Sequence, residues 1–195
     1  MVLCCFLWVN YYFRFQKYLN LLYNSKKIIV KEYVVLVDRN NKSVGLMEKI
    51  EAHKKGLLHR AFSIFIFNSK GELLIQQRAL SKYHSQGLWS NTCCSHPHEN
   101  ENVETGAHRR LKEEMGFDCE LKEVFSFVYK AEVDKGFIEH EFDHVFVGEY
   151  DGEPKINHAE VAKWKFVNPE ILKKEIKNYP DKFTEWFKIA FKKVS

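Results

Sequence analysis

The sequence predicts an α+β fold, an α/β sandwich with a mixed β-sheet core flanked by helices. Two observations predict it. Apolar residues recur with period two in most segments and with helical spacing in one central segment. Turn formers separate these segments into the order strand, strand pair, helix, strand pair, strand, closing helices, which suits helices packed on a sheet.

The regular pattern begins with EYVVLVD (32–38), a strand closed by Arg39-Asn40-Asn41-Lys42. RAFSIFIF (60–67) is a second strand, and after the turn Asn68-Ser69-Lys70-Gly71 the segment ELLIQQR (72–78) returns as its hairpin partner. Residues 101–115 set Val103, Ala107, Leu111 and Met115 four apart on one helical face, and Gly116 stops that helix. Strands are expected at 122–131 and 138–150, with Asp151-Gly152 before the short strand Lys163–Val167. Helices at 169–178 and 181–193 close the chain, divided by Pro180.

The length fits one domain, residues 29–195, with a core of its own. Residues 1–28 differ from the rest: they are rich in aromatics and contain no acidic residue. Their apolar run ends by Asn10, short of the ~20 residues a bilayer needs, and lacks the flanks of a secretory signal. The reading is a disordered extension or a misassigned start, with an amphipathic membrane-surface segment as the weaker alternative. A net charge of +4 spread among interleaved Lys, Arg and Glu argues against nucleic acid as partner. Five cysteines, an odd number with two adjacent pairs, make a poor disulfide framework and point to a reducing, cytoplasmic setting.

Three features carry chemistry. His53, His59 and His96 with Glu139 and Glu141 could surround a divalent ion of the Mn or Zn kind. Period-two geometry puts Glu139, Glu141 and Asp143 on one face. The competing reading is the solvent face of an edge strand, which spacing alone favours. The helix ENVETGAHRRLKEEMGF (101–117) holds enough glutamates to bind a hard cation such as Mg, and equally reads as a solvated helix with Arg109–Glu113 and Arg110–Glu114 pairs. In the run 76–98, Arg78 and Lys82, together with Lys49, suit a diphosphate, although any one of them alone reads as a surface cation.

Taken together, these pieces resemble a known family. EKIEAHKKGLLHRAFSIFIFNSKGELLIQQRALSKYHSQGLWSNTCCSHP resembles the type I isopentenyl-diphosphate isomerases, as do RRLKEEMG, FVYKA, IEHEF and TEWF in the same order. The match runs from about Tyr33 to Phe191. The helix also looks like a Nudix box, matching at Glu101, Arg109, Leu111, Glu113, Glu114 and Gly116. It departs at Ser95, where the box has glycine, and at Arg110, where the box core has glutamate; the aromatic Phe117 is a minor departure.

The resemblance implies a Nudix fold and interconversion of isopentenyl and dimethylallyl diphosphate through a carbocation. It implies that His53, His59, His96, Glu139 and Glu141 ligate a first metal, Mn2+ or Zn2+. Glu114 would hold Mg2+ against the substrate diphosphate, with Lys49, Arg78, Lys82 and Arg110 completing the anion site. Glu141, its proton relayed through Tyr129, is the expected acid. Cys94 is the expected base, deprotonating from a resting pKa near ~8.5. Trp186 would cover the hydrocarbon. The expected partner is this small molecule alone, with no obligatory protein partner. Two rivals are a Nudix hydrolase of a diphosphate compound, which the guanidinium of Arg110 opposes, and an inactive binding module, which would show gaps in the ligand set.

Overall fold

The computed structural model describes residues 31–194; the expectations for residues 1–28 lie outside it. Strands β1 (Tyr33–Val37), β2 (Ser43–Glu48), β3 (His59–Phe67), β4 (Leu73–Arg78), β5 (Trp89–Ser90), β6 (Cys93–Ser95), β7 (Leu121–Glu132), β8 (Ile138–Glu149) and β9 (Val161–Val167) form one mixed sheet. Helix α1 is Lys49–Lys55, α2 is Val103–Met115, α3 is Pro169–Asn178 and α4 is Glu185–Val194. Every expected element is present. The last helix begins later than expected, because Pro180–Lys182 forms a separate 3-10 turn. Not anticipated were β2 and α1, and the short strands β5 and β6, which carry too few residues for a periodic signal.

Strand β3 organises the sheet. Along one side it runs parallel to β8 for its whole length, His59 opposite Glu141 and Phe67 opposite Glu149. Its other side changes partner: β1 at His59, β6 at Phe62–Ile64, β4 at Ile66–Phe67. Strands β3 and β4 therefore diverge, and the segment Trp89–Ser95 fills the gap, β5 pairing with β4 and β6 with β3. A split sheet strands backbone groups in the interior, where each must find a partner. Buried Asn91 and Thr92 supply them. Thr92 Oγ1 accepts from Ile66 N and donates to Leu74 O, while Asn91 Nδ2 donates to the carbonyls of Ile64 and Cys93.

Period-two alternation divides the apolar side chains between the two faces. Phe62, Ile64, Leu74 and Phe146 pack with Leu111 and Met115 of α2 on one face. Phe65, Leu73, Ile75 and Val145 pack with Leu172 of α3 and Trp186, Phe187 and Phe191 of α4 on the other. The helix stop is as expected: Gly116 adopts φ 74, and a Cβ there would collide with the Lys155 carbonyl oxygen. Among the described residues no helix is long and apolar enough to cross a membrane.

Candidate active site

A partly open cavity is lined by residues of β4, β6, β7 and β8 and of the loops beside them. It is lined at one end by His84, His96, Glu139 and Glu141, at the other by Lys49, Lys82 and Arg110, with Cys94, Tyr129 and Trp186 also on its walls.

Strand β8 brings the carboxylates. Glu139, Glu141 and Asp143 alternate with half-buried residues and are all buried. The edge-strand alternative is overturned, since β8 lies between β3 and β7. His59 sits opposite Glu141 on β3, Tyr129 opposite it on β7, and His53 comes from α1. Three imidazole nitrogens and one carboxylate meet there. His96 Nε2 is 3.1 Å and His59 Nε2 3.6 Å from Glu141 Oε1, the two nitrogens are 3.2 Å apart, and His53 Nε2 is 3.1 Å from Glu139 Oε2.

The ring protons explain why this cluster suits a cation. His53 Nδ1 donates to Lys49 O at 2.6 Å and His59 Nδ1 to Leu57 O at 2.8 Å. In a neutral ring those bonds consume the only N–H, so each Nε2 turns a lone pair inward. His53 Nε2 and Glu139 Oε2 are buried without an aligned hydrogen-bond partner. Lone pairs facing carboxylate oxygens repel unless a proton or metal ion sits between them, and His53, His59, His96 and Glu141 converge closely enough to share one ion.

Charge states follow from burial and neighbours. Burial and Glu141 push Glu139 up, but the facing imidazoles His53 and His84 outweigh them and bring it to about 2. For His53 burial lowers the pKa, yet Glu139 raises it further, so a proton or a metal ion is favoured between that ring and the carboxylate. His96 goes the other way: burial and then His59 hold it well below the usual histidine range. Asp143 is pushed well above the carboxylate range by burial and by Glu141, which makes it a neutral acid.

Burial pushes Cys94 up to about 12, against the opposing charge of Arg78. A thiol so raised holds its proton more firmly than the ordinary value expected from the sequence. Glu141 is held down by His59 and by the Tyr129 hydroxyl, which donates to Oε2 at 2.6 Å, despite its burial. Cys93 points to the opposite face, in the core beneath α2.

The anion end differs from its expectation. Lys82 pairs with Glu160 at 2.6 Å, Lys49 with exposed Glu32 at 2.8 Å, and Arg110 with Glu113, Glu114 and Glu160 at 2.6, 2.6 and 3.1 Å. Glu114 is engaged at both oxygens, by Arg110 and by Gln76 Nε2 at 2.9 Å. The i,i+4 pairing Arg110–Glu114 is present, and Arg109–Glu113 is a longer contact at 3.4 Å. Arg109 chiefly grips Glu101 through two bonds of 2.8 Å, tying the helix to the loop before it. Arg78 lies 5.0 Å over the Trp186 ring, whose Nε1 donates to Ser90 Oγ.

Sequence reasoning missed His84, Glu160, Gln76 and Ser90. His84 stands two residues after Lys82 in the loop singled out for anion binding, so its position was a usable signal. Glu160 belongs to no local pattern.

Comparison with known proteins agrees with this architecture. The NUDIX domain family model matches residues 57–187. The chain is similar to proteins named isopentenyl-diphosphate Delta-isomerase 2 of Photorhabdus laumondii (55% identical, covering 80% of this chain and 89% of that one) and of Aromatoleum aromaticum (49%, covering 85% and 87%). It is likewise similar to the isopentenyl-diphosphate Delta-isomerase of Burkholderia multivorans (51%, covering 81% and 90%). In fold it is similar to a solved structure from Deinococcus radiodurans (TM-score 0.64, 19% identity, covering 76% of this chain and 90% of that one). A MutT protein of Methanosarcina mazei is another such neighbour (TM-score 0.57, 19% identity, covering 70% and 91%). With a family model over most of its length and relatives near half identity, the chain belongs to the Nudix superfamily and, within it, to the type I isopentenyl-diphosphate Delta-isomerases.

Proposed function

We propose that this chain interconverts isopentenyl and dimethylallyl diphosphate, with Cys94 and the Glu141–Tyr129 pair exchanging protons with the substrate. The observation that carries this reading is the lining of one cavity by Cys94, Glu141, Tyr129 and Trp186 together with Arg78, Lys82 and Arg110. A proton added to the terminal methylene carbon leaves a tertiary cation. Loss of a proton from the neighbouring methylene returns its electron pair as the new double bond, and no net proton is gained or lost.

Which group donates first depends on where the resting proton sits. Cys94 is a thiol, and Glu141 is a carboxylate accepting from Tyr129. From that arrangement Cys94 can serve as donor and Glu141 as acceptor in one direction. After turnover the two are exchanged, and the reverse direction uses Glu141, with Tyr129 as relay, as donor and Cys94 as base. The roles expected from the sequence, Glu141 as acid through Tyr129 and Cys94 as base, carry no direction, and a reversible reaction uses each arrangement in turn.

Trp186 faces the hydrocarbon in this reading. An indole attracts a cation by ~1–2 kcal/mol when desolvated and offers no nucleophile to trap it. Arg78 already rests over that ring. Burial of the walls keeps water from quenching the cation.

His53, His59, His96, Glu139 and Glu141 would hold one divalent ion and Glu114 a second. When bound, Mn2+ or Zn2+ at the first supplies the positive charge that its lone pairs lack, and Mg2+ at the second offsets diphosphate charge. Lys49, Arg78, Lys82 and Arg110 bind and orient the diphosphate. The expected partner is this small molecule, and the free thiols of Cys93, Cys94 and Cys119 fit a cytoplasmic setting.

The test is turnover of isopentenyl diphosphate to dimethylallyl diphosphate by the full chain, with and without chelator. Isomerisation that stops on chelation is the expected result. Release of phosphate with no isomer formed would favour a hydrolase.

A further inference from the structure

We infer that His84 is a positioning residue of the metal site, its Nε2–H holding one oxygen of Glu139 so that the other faces the cation shared with His53. This rests on the metal reading given above.

The ring of His84 is buried and engaged at both nitrogens. Nε2 lies 3.0 Å from Glu139 Oε1, and Nδ1 lies 3.1 Å from Ser85 Oγ. The carboxylate can only accept, so the ring proton belongs on Nε2, which leaves Nδ1 to accept from the Ser85 hydroxyl. His53 is arranged the opposite way, its Nδ1 proton committed to the Lys49 carbonyl and its Nε2 facing Glu139 Oε2 at 3.1 Å. One oxygen of Glu139 thus meets a donor, and the other is the one that faces the lone pair of a neutral His53 and a metal held there. Removing the donor at Oε1 frees the carboxylate to rotate away from the cluster or to chelate through both oxygens. Outer partners that orient a ligand in this way are typically worth ~10–100-fold in metal affinity.

The segment carrying His84 is itself clamped. Ser85 adopts φ 50, a left-handed conformation that needs support in a non-glycine residue. Support comes from the turn between β7 and β8: Ser85 N donates to Asp134 Oδ1 at 2.6 Å, and Lys135 Nζ donates to Tyr83 O at 3.2 Å. Glu139 follows that turn directly on β8. The same turn therefore fixes both the carboxylate and the imidazole that orients it. His84 also touches the other two parts of the site, its ring packed edge-on against Trp186 at 5.7 Å and its carbonyl accepting from Arg78 Nη2 at 3.2 Å.

The experiment measures Mn2+ affinity of the full chain by chelator competition, without substrate, for the parent, His84→Ala, His84→Gln and His59→Ala. Thermal unfolding of the metal-free proteins checks that each variant folds. His84→Ala is expected to weaken Mn2+ binding by ~10–100-fold. His84→Gln, whose amide can donate from a similar position, is expected to stay close to the parent. Should His84→Ala fail to fold, His84→Asn replaces it, since its shorter amide cannot reach Glu139. Parent-like affinity in His84→Ala overturns the inference and leaves the metal reading standing. Affinity in His84→Gln as poor as in His84→Ala also overturns it, because the imidazole would then be a ligand itself. A parent that binds no Mn2+, with His59→Ala no different, removes the metal reading and this inference together.

Discussion

The two ends of the cavity have opposite shortages. At the histidine end, His53 and His59 spend their Nδ1 protons on backbone carbonyls and turn lone pairs toward Glu139 and Glu141. At the other end, Lys82 and Arg110 are already answered by Glu160, and Arg110 also by Glu113 and Glu114. The first end lacks positive charge, and the second is neutralised from within. A cation can enter the first by filling a deficit. A diphosphate can enter the second only by exchanging partners with carboxylates, Glu160 above all, which burial pushes up but Lys82 and Arg110 hold at about 2. Metal affinity and substrate affinity should therefore respond to separate substitutions.

The largest effect belongs between the two ends. Cys94→Ala should lower turnover by ~10^3-fold, the scale of a lost positioned proton carrier, while metal content and diphosphate binding persist. Cys93→Ala should keep its rate and lose only about 1 kcal/mol of stability from the core beneath α2. Rapid turnover by Cys94→Ala, or a folded but inactive Cys93→Ala, would show that the register of β6 has been misread.

His59→Ala or His96→Ala should lose bound metal by mass spectrometry, whereas Lys82→Gln should retain the parent's content. Parent-level metal in both histidine variants would sink the five-ligand site.

At the anion end, Arg110→Gln should raise KM about 10-fold or more with kcat little changed, in line with loss of a charge-assisted bond. A fall in kcat at unchanged KM would place Arg110 in the chemistry instead of in binding.

The smallest effect lies outside the cavity. The Arg109 guanidinium lowers Glu101 from the usual 4.5 to about 2. A carboxylate depressed in the folded state contributes stability above its unfolded pKa and loses it as pH falls toward the folded value. The stability gap between the parent and Glu101→Gln should thus be greatest at neutral pH and close between about 4.5 and about 2. Urea unfolding across that range measures it, and a gap independent of pH would remove the pair from the acid response.

By itself the sequence determined the sandwich, because strands β3, β4, β7 and β8 and helix α2 are long enough for their apolar period to be read. It also determined, through family resemblance, which side chains are candidates for chemistry. The period of two placed Glu139, Glu141 and Asp143 on one face, as the structure has them. Only the tertiary structure decided that β8 is interior, since period two cannot tell a buried face from a wet one. Charge states were equally out of reach. Burial raises Cys94, and Glu141 is held down by His59, opposite it on β3 but far away in the chain, and by Tyr129 across the β7–β8 hairpin. His84 and Glu160 escaped notice for the same reason: their roles come from partners 55 residues onward (Glu139) and 78 residues back (Lys82), contacts that exist only once the sheet has split and closed.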